Sequence, residues 1–194
     1  GIISRSIFTI LKEATARRDQ GCEFALSASY VEIYNERVRD LLRPKNNNMK
    51  VLEHPGEGFV ASGAQELLVT CLDDARHILA EGSRHRTMAP TLMNKDSSRS
   101  HSIMTLRLDQ ACYRTTVRNC DMSGRLVLVD LAGSERVSRT RAEGLRLKEA
   151  NRINVSLTTL GMVIKALTEA APHVPYRDSK LTRLLQESLG GNSR

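Results

Sequence analysis

From Ile2 to Ala16 apolar residues return at helical intervals, with Ile3, Ile7, Ile10, Leu11 and Ala14 on one side. That spacing predicts an amphipathic helix. After Gly21 the period changes to two. Phe24, Leu26, Ala28 and Tyr30 share one face and Val31 and Ile33 the other, so Phe24 to Tyr34 reads as a strand. Val38 to Leu42 reads as a short turn of helix stopped by Pro44, and Asn46 to Asn48 as a loop tip. Met49 to Leu68 mixes glycines with short apolar pieces, which predicts small strands and turns. Asp73 is placed to cap a helix from Asp74 to Glu81 that Gly82 ends. Arg84 to Asn94, with Pro90 inside it, reads as irregular.

Ser102 to Asp109 alternates like a strand. Gly124 to Leu131 is a second strand, and the unbroken apolar run Leu126 to Val129 predicts cover on both faces. The two are placed to pair as an antiparallel hairpin across a long polar loop, with Ser123 and Gly124 near its end. Ile153, Leu157, Leu160, Ile164 and Leu167 then recur at spacings of four and three, the longest helical signal, closed by Pro172 and Pro175. Ser179 to Leu189 is a last short amphipathic helix, ended by Gly190 and Gly191. There is no internal repeat or low-complexity linker. Strands interleaved with helices predict one α/β layer structure.

A chain of 194 residues can bury a real core, and 40% hydrophobic with 26% charged residues is ordinary for a globular domain. No apolar run approaches the roughly 20 residues that cross a bilayer, so no membrane insertion is expected. Gly1 to Arg5 carries no signal-peptide pattern, and a start without Met reads as a segment of something longer. Cys22, Cys71, Cys112 and Cys120 are scattered, with no C-x-x-C pair, which speaks against zinc and for reduced thiols. The net charge of +7 favours an acidic partner. Aromatic content of 4% and the absence of Trp weigh against single-stranded nucleic acid.

Two polar clusters carry candidate chemistry. In the first, the apolar strand ends at Asp130, and Leu131-Ala132-Gly133-Ser134-Glu135 follows. An acid at a strand end can serve a metal ion, and the glycine can bring a backbone N–H close to a phosphate. In the second, Asn94 to His101, hydroxyls suit a hard cation and Arg99 can pair with Glu135. The plainer alternatives are a hydroxyl-rich turn and a surface ion pair worth about 0–1 kcal/mol. For Ser100 the plainer reading is preferred; for His101 it stays open.

Five blocks, in order, together resemble the motor domain of kinesins. They are Tyr30-Val-Glu-Ile-Tyr-Asn-Glu36 with Asp40-Leu-Leu42, Asn94-x-x-Ser-Ser-Arg-Ser-His101, and Asp130-Leu-Ala-Gly-Ser-Glu-Arg136. Ile153-Asn154-x-Ser156-Leu157 with Leu160-Gly161 follows, then Val174 to Asn192. The resemblance implies a P-loop NTPase-like α/β fold, a mostly central mixed sheet flanked by helices. It departs from the family in having no G-x-x-x-x-G-K-[ST] loop. Residues 1–194 are therefore expected to be a partial motor domain, truncated at both ends, without the P-loop region and the last strand, helix and neck linker. Val155, Arg141, Ser4 and Pro90 also differ from common family choices.

The resemblance implies roles residue by residue. Ser98 would ligate Mg²⁺, while Ser97 and Asn94 face the γ-phosphate of ATP and the attacking water. Asp130 would hold a Mg²⁺-bound water, the Gly133 N–H would sense the γ-phosphate, and Glu135 would pair with Arg99 on closure. Arg86 matches an arginine near the nucleotide. Arg136, Arg139, Arg141 and Arg146 would face tubulin, with Tyr176, Arg177, Lys180 and Arg183. Helical spacing puts Lys180 and Arg183 on one face, with Arg177 one turn earlier. The implied protein is a microtubule-stimulated ATPase, cytoplasmic and cytoskeletal, with no nucleic-acid partner and its oligomeric state open. A non-catalytic microtubule-binding module without a P-loop is the alternative. An unrelated GTPase is disfavoured, because no N/T-K-x-D motif is present.

Overall fold

The computed structural model describes residues 1–18, 22–87, 100–114, 117–133, 145–191 and 193; at 87, 112–114, 117–121 and 145–154 it describes the backbone alone. The alternating segment is a long strand, β1 (Cys22–Tyr34), whose two faces feed two cores. Leu26, Ala28 and Tyr30 pack under α1 (Ile2–Arg18), whose Ile7 and Ala14 are buried as its spacing requires. Val31 and Ile33 face the other way, onto a cluster with Phe59, Leu181 and Leu185.

β1 turns at Asn35 and Glu36, both at positive φ (53° and 59°), into β2 (Arg37–Asp40). A two-residue turn with both φ positive matches strand twist, so the chain doubles back as a hairpin. Val38, fully buried, pairs with Ile33. The short helix expected from Val38 to Leu42 is thus overturned: the turn chemistry, which apolar spacing cannot register, decides the outcome. Asp40 then folds its carboxylate back onto the N–H groups of Leu42, Arg43 and Gln65.

Three short strands follow: β3 (Val51–His54), β4 (Gly58–Ala61) and β5 (Leu67–Leu68). α2 runs from Leu72 to Thr87. Its start is held by Asp74, whose carboxylate accepts from the N–H groups of Thr70 and Cys71 and the Thr70 hydroxyl. α2 continues past Gly82, contrary to expectation. That glycine lies against the Tyr30 ring, where a Cβ would come within 2.1 Å of Cδ1. It is there for close packing, not to stop the helix, and Arg84 to Thr87 are helical.

β6 (His101–Arg114) and β7 (Val117–Asp130) form the antiparallel hairpin. Ser123 and Gly124 lie within β7, so the connection is much shorter than the long loop expected. The main sheet runs β2-β1-β6-β7, with β5 also on β1, and all its pairings among the described residues are antiparallel. β7 ends that order, and Leu126 and Val129 are 39% and 37% exposed. The predicted cover on both faces of this run is partial: Leu128 packs against the cluster under α1 and Val127 against the opposite one, while Leu126 and Val129 stay exposed.

Cys22, Cys112 and Cys120 stand abreast on β1, β6 and β7 in direct register. Cys22 is disulfide-bonded, whereas Cys71 is free and exposed. Scattered positions in sequence are neighbours across the sheet, and the expectation of reduced thiols fails at Cys22.

α3 (Leu145–Thr168) is the long helix. Its buried seam is Ser156, Thr159 and Val163, with Leu160 beside it, while Ile164 of the predicted stripe is exposed. A 3-10 turn (Tyr176–Asp178), α4 (Lys180–Leu184) and α5 (Gln186–Gly190) complete the described chain. The single helix expected from Ser179 to Leu189 breaks at Leu185.

Candidate functional site

The hairpin register sets Ser102 opposite Asp130, so the chain after the first polar cluster and the start of the second reach the same end of the sheet. The last turn of α2 delivers Arg86 to that place. Its Nη1 donates to Asp130 Oδ2 at 2.6 Å, its Nη2 to the Ser100 carbonyl at 3.0 Å, and its Nε to Ser100 Oγ at 3.4 Å. Behind it, Glu32 on β1 lies 3.8 Å from Arg86 Nε and pairs with Arg39 on β2. Glu32 is buried, and a buried carboxylate needs such charged partners. One guanidinium thereby joins α2, β1, β7 and the residue that leads into β6.

His101 is the second joint. It is 2% exposed. The Ala132 N–H donates to its Nδ1 at 3.0 Å, so the ring proton resides on Nε2, which donates to Ser156 Oγ at 2.7 Å. Burial first, and the Arg86 charge second, push this imidazole down to about 4 against the pull of Asp130, so it is neutral at pH 7. Its two nitrogens hold the residue before Gly133 and the buried seam of α3.

Of the predicted site residues, Arg86 and Asp130 are in contact and Gly133 is three residues beyond Asp130. Asn94, Ser97, Ser98, Arg99, Glu135, Arg136, Arg139 and Arg141 lie outside the described residues, and Arg146 is described by its backbone alone. The Asp130 side chain is 66% exposed, which fits an acceptor for the waters of a hydrated cation better than a direct ligand in a closed cage.

At the opposite face of β1, Glu36 organises the last block. Ser179 Oγ donates to its Oε1 at 3.1 Å and the Lys180 N–H to its Oε2 at 2.8 Å. The Ser179 oxygen also accepts from the Leu181 N–H, so the first two N–H groups of α4 are capped. Arg177 sits in the separate 3-10 turn, and extended Ser179 intervenes before Lys180. The common helical face expected for Arg177, Lys180 and Arg183 is therefore not formed. Arg183 stacks 4.9 Å from the Phe59 ring centre, and its Nε is buried without a hydrogen bond. It is a packed cation; Arg177 is exposed. Tyr176 lies against Gly190, and burial raises its hydroxyl pKa.

Sequence reasoning gave Ser156, Glu32 and Glu36 no role of their own, kept the plainer reading for Ser100 and left His101 undecided. A signal existed for Glu32, because it interrupts the apolar run Tyr30 to Tyr34 at the end of β1.

Comparison with known proteins follows the same lines. The family model "Kinesin motor domain" matches residues 1–194. Kinesin-related protein 3 of Dictyostelium discoideum is 48% identical over 195 residues, covering 100% of this chain and 16% of that protein. The kinesin heavy chain of Neurospora crassa is 48% identical, covering 100% of this chain and 21% of its own length. Among solved structures, that of a fast kinesin superposes with a TM-score of 0.89 at 47% identity, over 100% of this chain and 54% of that one. A KIF14 dimer with AMP-PNP in complex with a microtubule gives 0.87 at 39% identity, over 100% and 57%. The chain thus spans about half of each solved neighbour and about a fifth or less of these two relatives.

Proposed function

The chain belongs to the kinesin motor-domain family, and on that premise we propose that it is the switch-bearing part of a microtubule motor driven by ATP hydrolysis. The observation that carries the reading is the Arg86–Asp130 contact beside Ser100, where the ends of both polar clusters meet. Ser98 and Asp130 would hold Mg²⁺, Asp130 through water; when bound, the ion neutralises charge on the β- and γ-phosphates. Ser97 and Asn94 orient the attacking water, and the Gly133 N–H reads the γ-phosphate. Arg99 and Glu135 would pair over the site, and the Glu135 carboxylate would accept the water's proton. Phosphoryl transfer asks the protein mainly for positioning and charge, so a closing ion pair is a sufficient gate.

The partner is the acidic surface of a microtubule. The surplus charge of +7 supports this, as does the neighbour solved on a microtubule. Arg139, Arg141, Tyr176, Arg177 and Lys180 are its proposed contacts. Arg183 is a weaker candidate, because its guanidinium packs on Phe59. The protein is accordingly assigned to the microtubule cytoskeleton.

The test is steady-state phosphate release by the full-length protein with and without microtubules. Strong stimulation by microtubules is expected, together with none from the 194 residues alone, which contain no phosphate-cradling P-loop. Microtubule binding without any nucleotide hydrolysis by the full-length protein would overturn the motor reading.

A further inference from the structure

We propose that His101 is a positioning residue that couples the Ala132–Gly133 turn to α3, so that a shift of the turn is transmitted to the helix. The proposal rests on the motor reading above for the meaning of that turn.

Three features carry it. First, the ring stands on β6 but spends both nitrogens on other elements, accepting from Ala132 N–H and donating to Ser156 Oγ. Second, His101 and Ser156 are each 2% exposed, so neither bond can be exchanged for water when the turn moves. Moving Ala132 strands a buried N–H unless the ring follows, and a ring that follows pulls on Ser156. Third, Ser156 lies in the buried seam of α3 with Thr159 and Val163. A polar joint in a packed seam links rigid bodies that respond by discrete rearrangement rather than by gradual deformation.

The donor and acceptor order adds direction. One ring nitrogen is acceptor only and the other donor only, so the imidazole cannot flip and keep both bonds. Peptide planarity makes the Ala132 N–H a handle on the segment that presents the Gly133 N–H.

The variants separate this role from simple packing. Ser156→Ala removes the α3 end of the joint and leaves the Ala132 end. Ser156→Thr restores a hydroxyl. In His101→Asn the side-chain oxygen can replace Nδ1 as acceptor for Ala132, but the shorter side chain cannot reach Ser156. Hydrogen exchange is followed at the Ala132 amide and at the α3 amides around Ser156 to Val163, in the full-length protein with and without a non-hydrolysable ATP analogue.

In the wild type the analogue is expected to change protection at both places. In Ser156→Ala and His101→Asn the Ala132 response should persist while the α3 response falls roughly tenfold, within the usual range of coupling between sites. The double variant should lose no more than either single one. Ser156→Thr should recover the response. Microtubule stimulation should fall with the α3 response while basal hydrolysis by Ser156→Ala stays near wild type.

An α3 response equal in wild type and Ser156→Ala would overturn the proposal, as would a loss of stability with the stimulation ratio unchanged. An analogue that fails to bind the wild type defeats the motor reading instead. The joint then stands or falls on the analogue-free samples. There, Ser156→Ala frees the ring at Nε2 and should speed Ala132 exchange several-fold, because the Ala132 N–H is then bonded to a ring no longer held from α3, and an unchanged rate removes the joint.

Discussion

Glu36 holds a left-handed backbone conformation and two hydrogen bonds at once, and substitutions there pull these apart. Its φ is 59°, a conformation that costs a side chain about 1 kcal/mol relative to glycine. Its carboxylate receives the Lys180 N–H at 2.8 Å and the Ser179 hydroxyl at 3.1 Å. Bonds to a charged group contribute about 1.5–3 kcal/mol each when buried, and less here because Glu36 is half-exposed. Glu36→Ala keeps the strained backbone and loses both bonds, for a net loss of about 2–3 kcal/mol.

Glu36→Gly loses the same bonds but releases the strain, so it should be about 1 kcal/mol more stable than the alanine variant. That order reverses the usual one, in which glycine is the worse substitute. Glu36→Gln keeps an acceptor for Lys180 N–H and should cost about 1 kcal/mol or less. Urea unfolding with a common slope reads these differences directly. In thermal melts each kcal/mol corresponds to a shift of about 2–4 °C for a chain of this size. Equal stability of the alanine and glycine variants, or a glutamine variant as unstable as alanine, would refute the reasoning.

Gly82→Ala gains helix propensity worth about 1 kcal/mol but drives a Cβ to within 2.1 Å of the buried Tyr30 ring, and should destabilise by about 1–2 kcal/mol net. The loss should shrink in a Tyr30→Leu background, and thermal melts of the four proteins check it. His101 is held down to about 4 in the folded state against 6.5 when unfolded. Below pH 6.5 the unfolded chain takes up a proton that the native ring refuses, so stability contributed above 6.5 is lost as pH falls toward 4. The loss should be about 2 kcal/mol by pH 5, seen as a steeper acid dependence of wild type than of His101→Asn. Arg99→Ala and Glu135→Ala should each abolish stimulated hydrolysis in the full-length protein while nucleotide binding, measured by fluorescent-analogue titration, persists. Their double variant should lose little more, and additive losses would separate the two side chains. Neutralising Arg177 and Lys180 together should flatten the salt dependence of microtubule co-sedimentation without lowering the melting temperature.

Much of the fold was legible because β1 and α1 advertise their periods. Phe24 to Tyr34 alternates, and Ile3 to Ala14 recurs at helical spacing. What escaped was decided by contacts distant in sequence or by backbone sign. Gly82 reads as a helix stop until Tyr30 is seen against it. Val38 reads as helix because nothing in its apolar spacing reveals positive φ at Asn35 and Glu36. The seam of α3 is chosen partly by a hydrogen bond from His101, so the most apolar stripe is not the most buried one. At the candidate site Arg86 and Asp130 were legible as motif residues, whereas Glu32 and Ser156 declare themselves only through their partners.

The β6–β7 hairpin also governs how much this chain tolerates changes in its own length. Pairing runs from Ser102–Asp130 at the candidate site to Arg114–Val117 at the tip, and each strand is 14 residues long. At about 3.3 Å per residue the tip lies roughly 40 Å from the site. A one-residue slip within a strand would turn every side chain to the opposite face. The register shift between Cys112 and Tyr113 lies next to the tip, where an extra residue is absorbed before the slip can propagate. Insertions between Arg114 and Val117 are thereby insulated from Arg86, His101 and Asp130. That end of the hairpin is the place where this domain can take a label, a tag or a drift in sequence length without moving its chemistry.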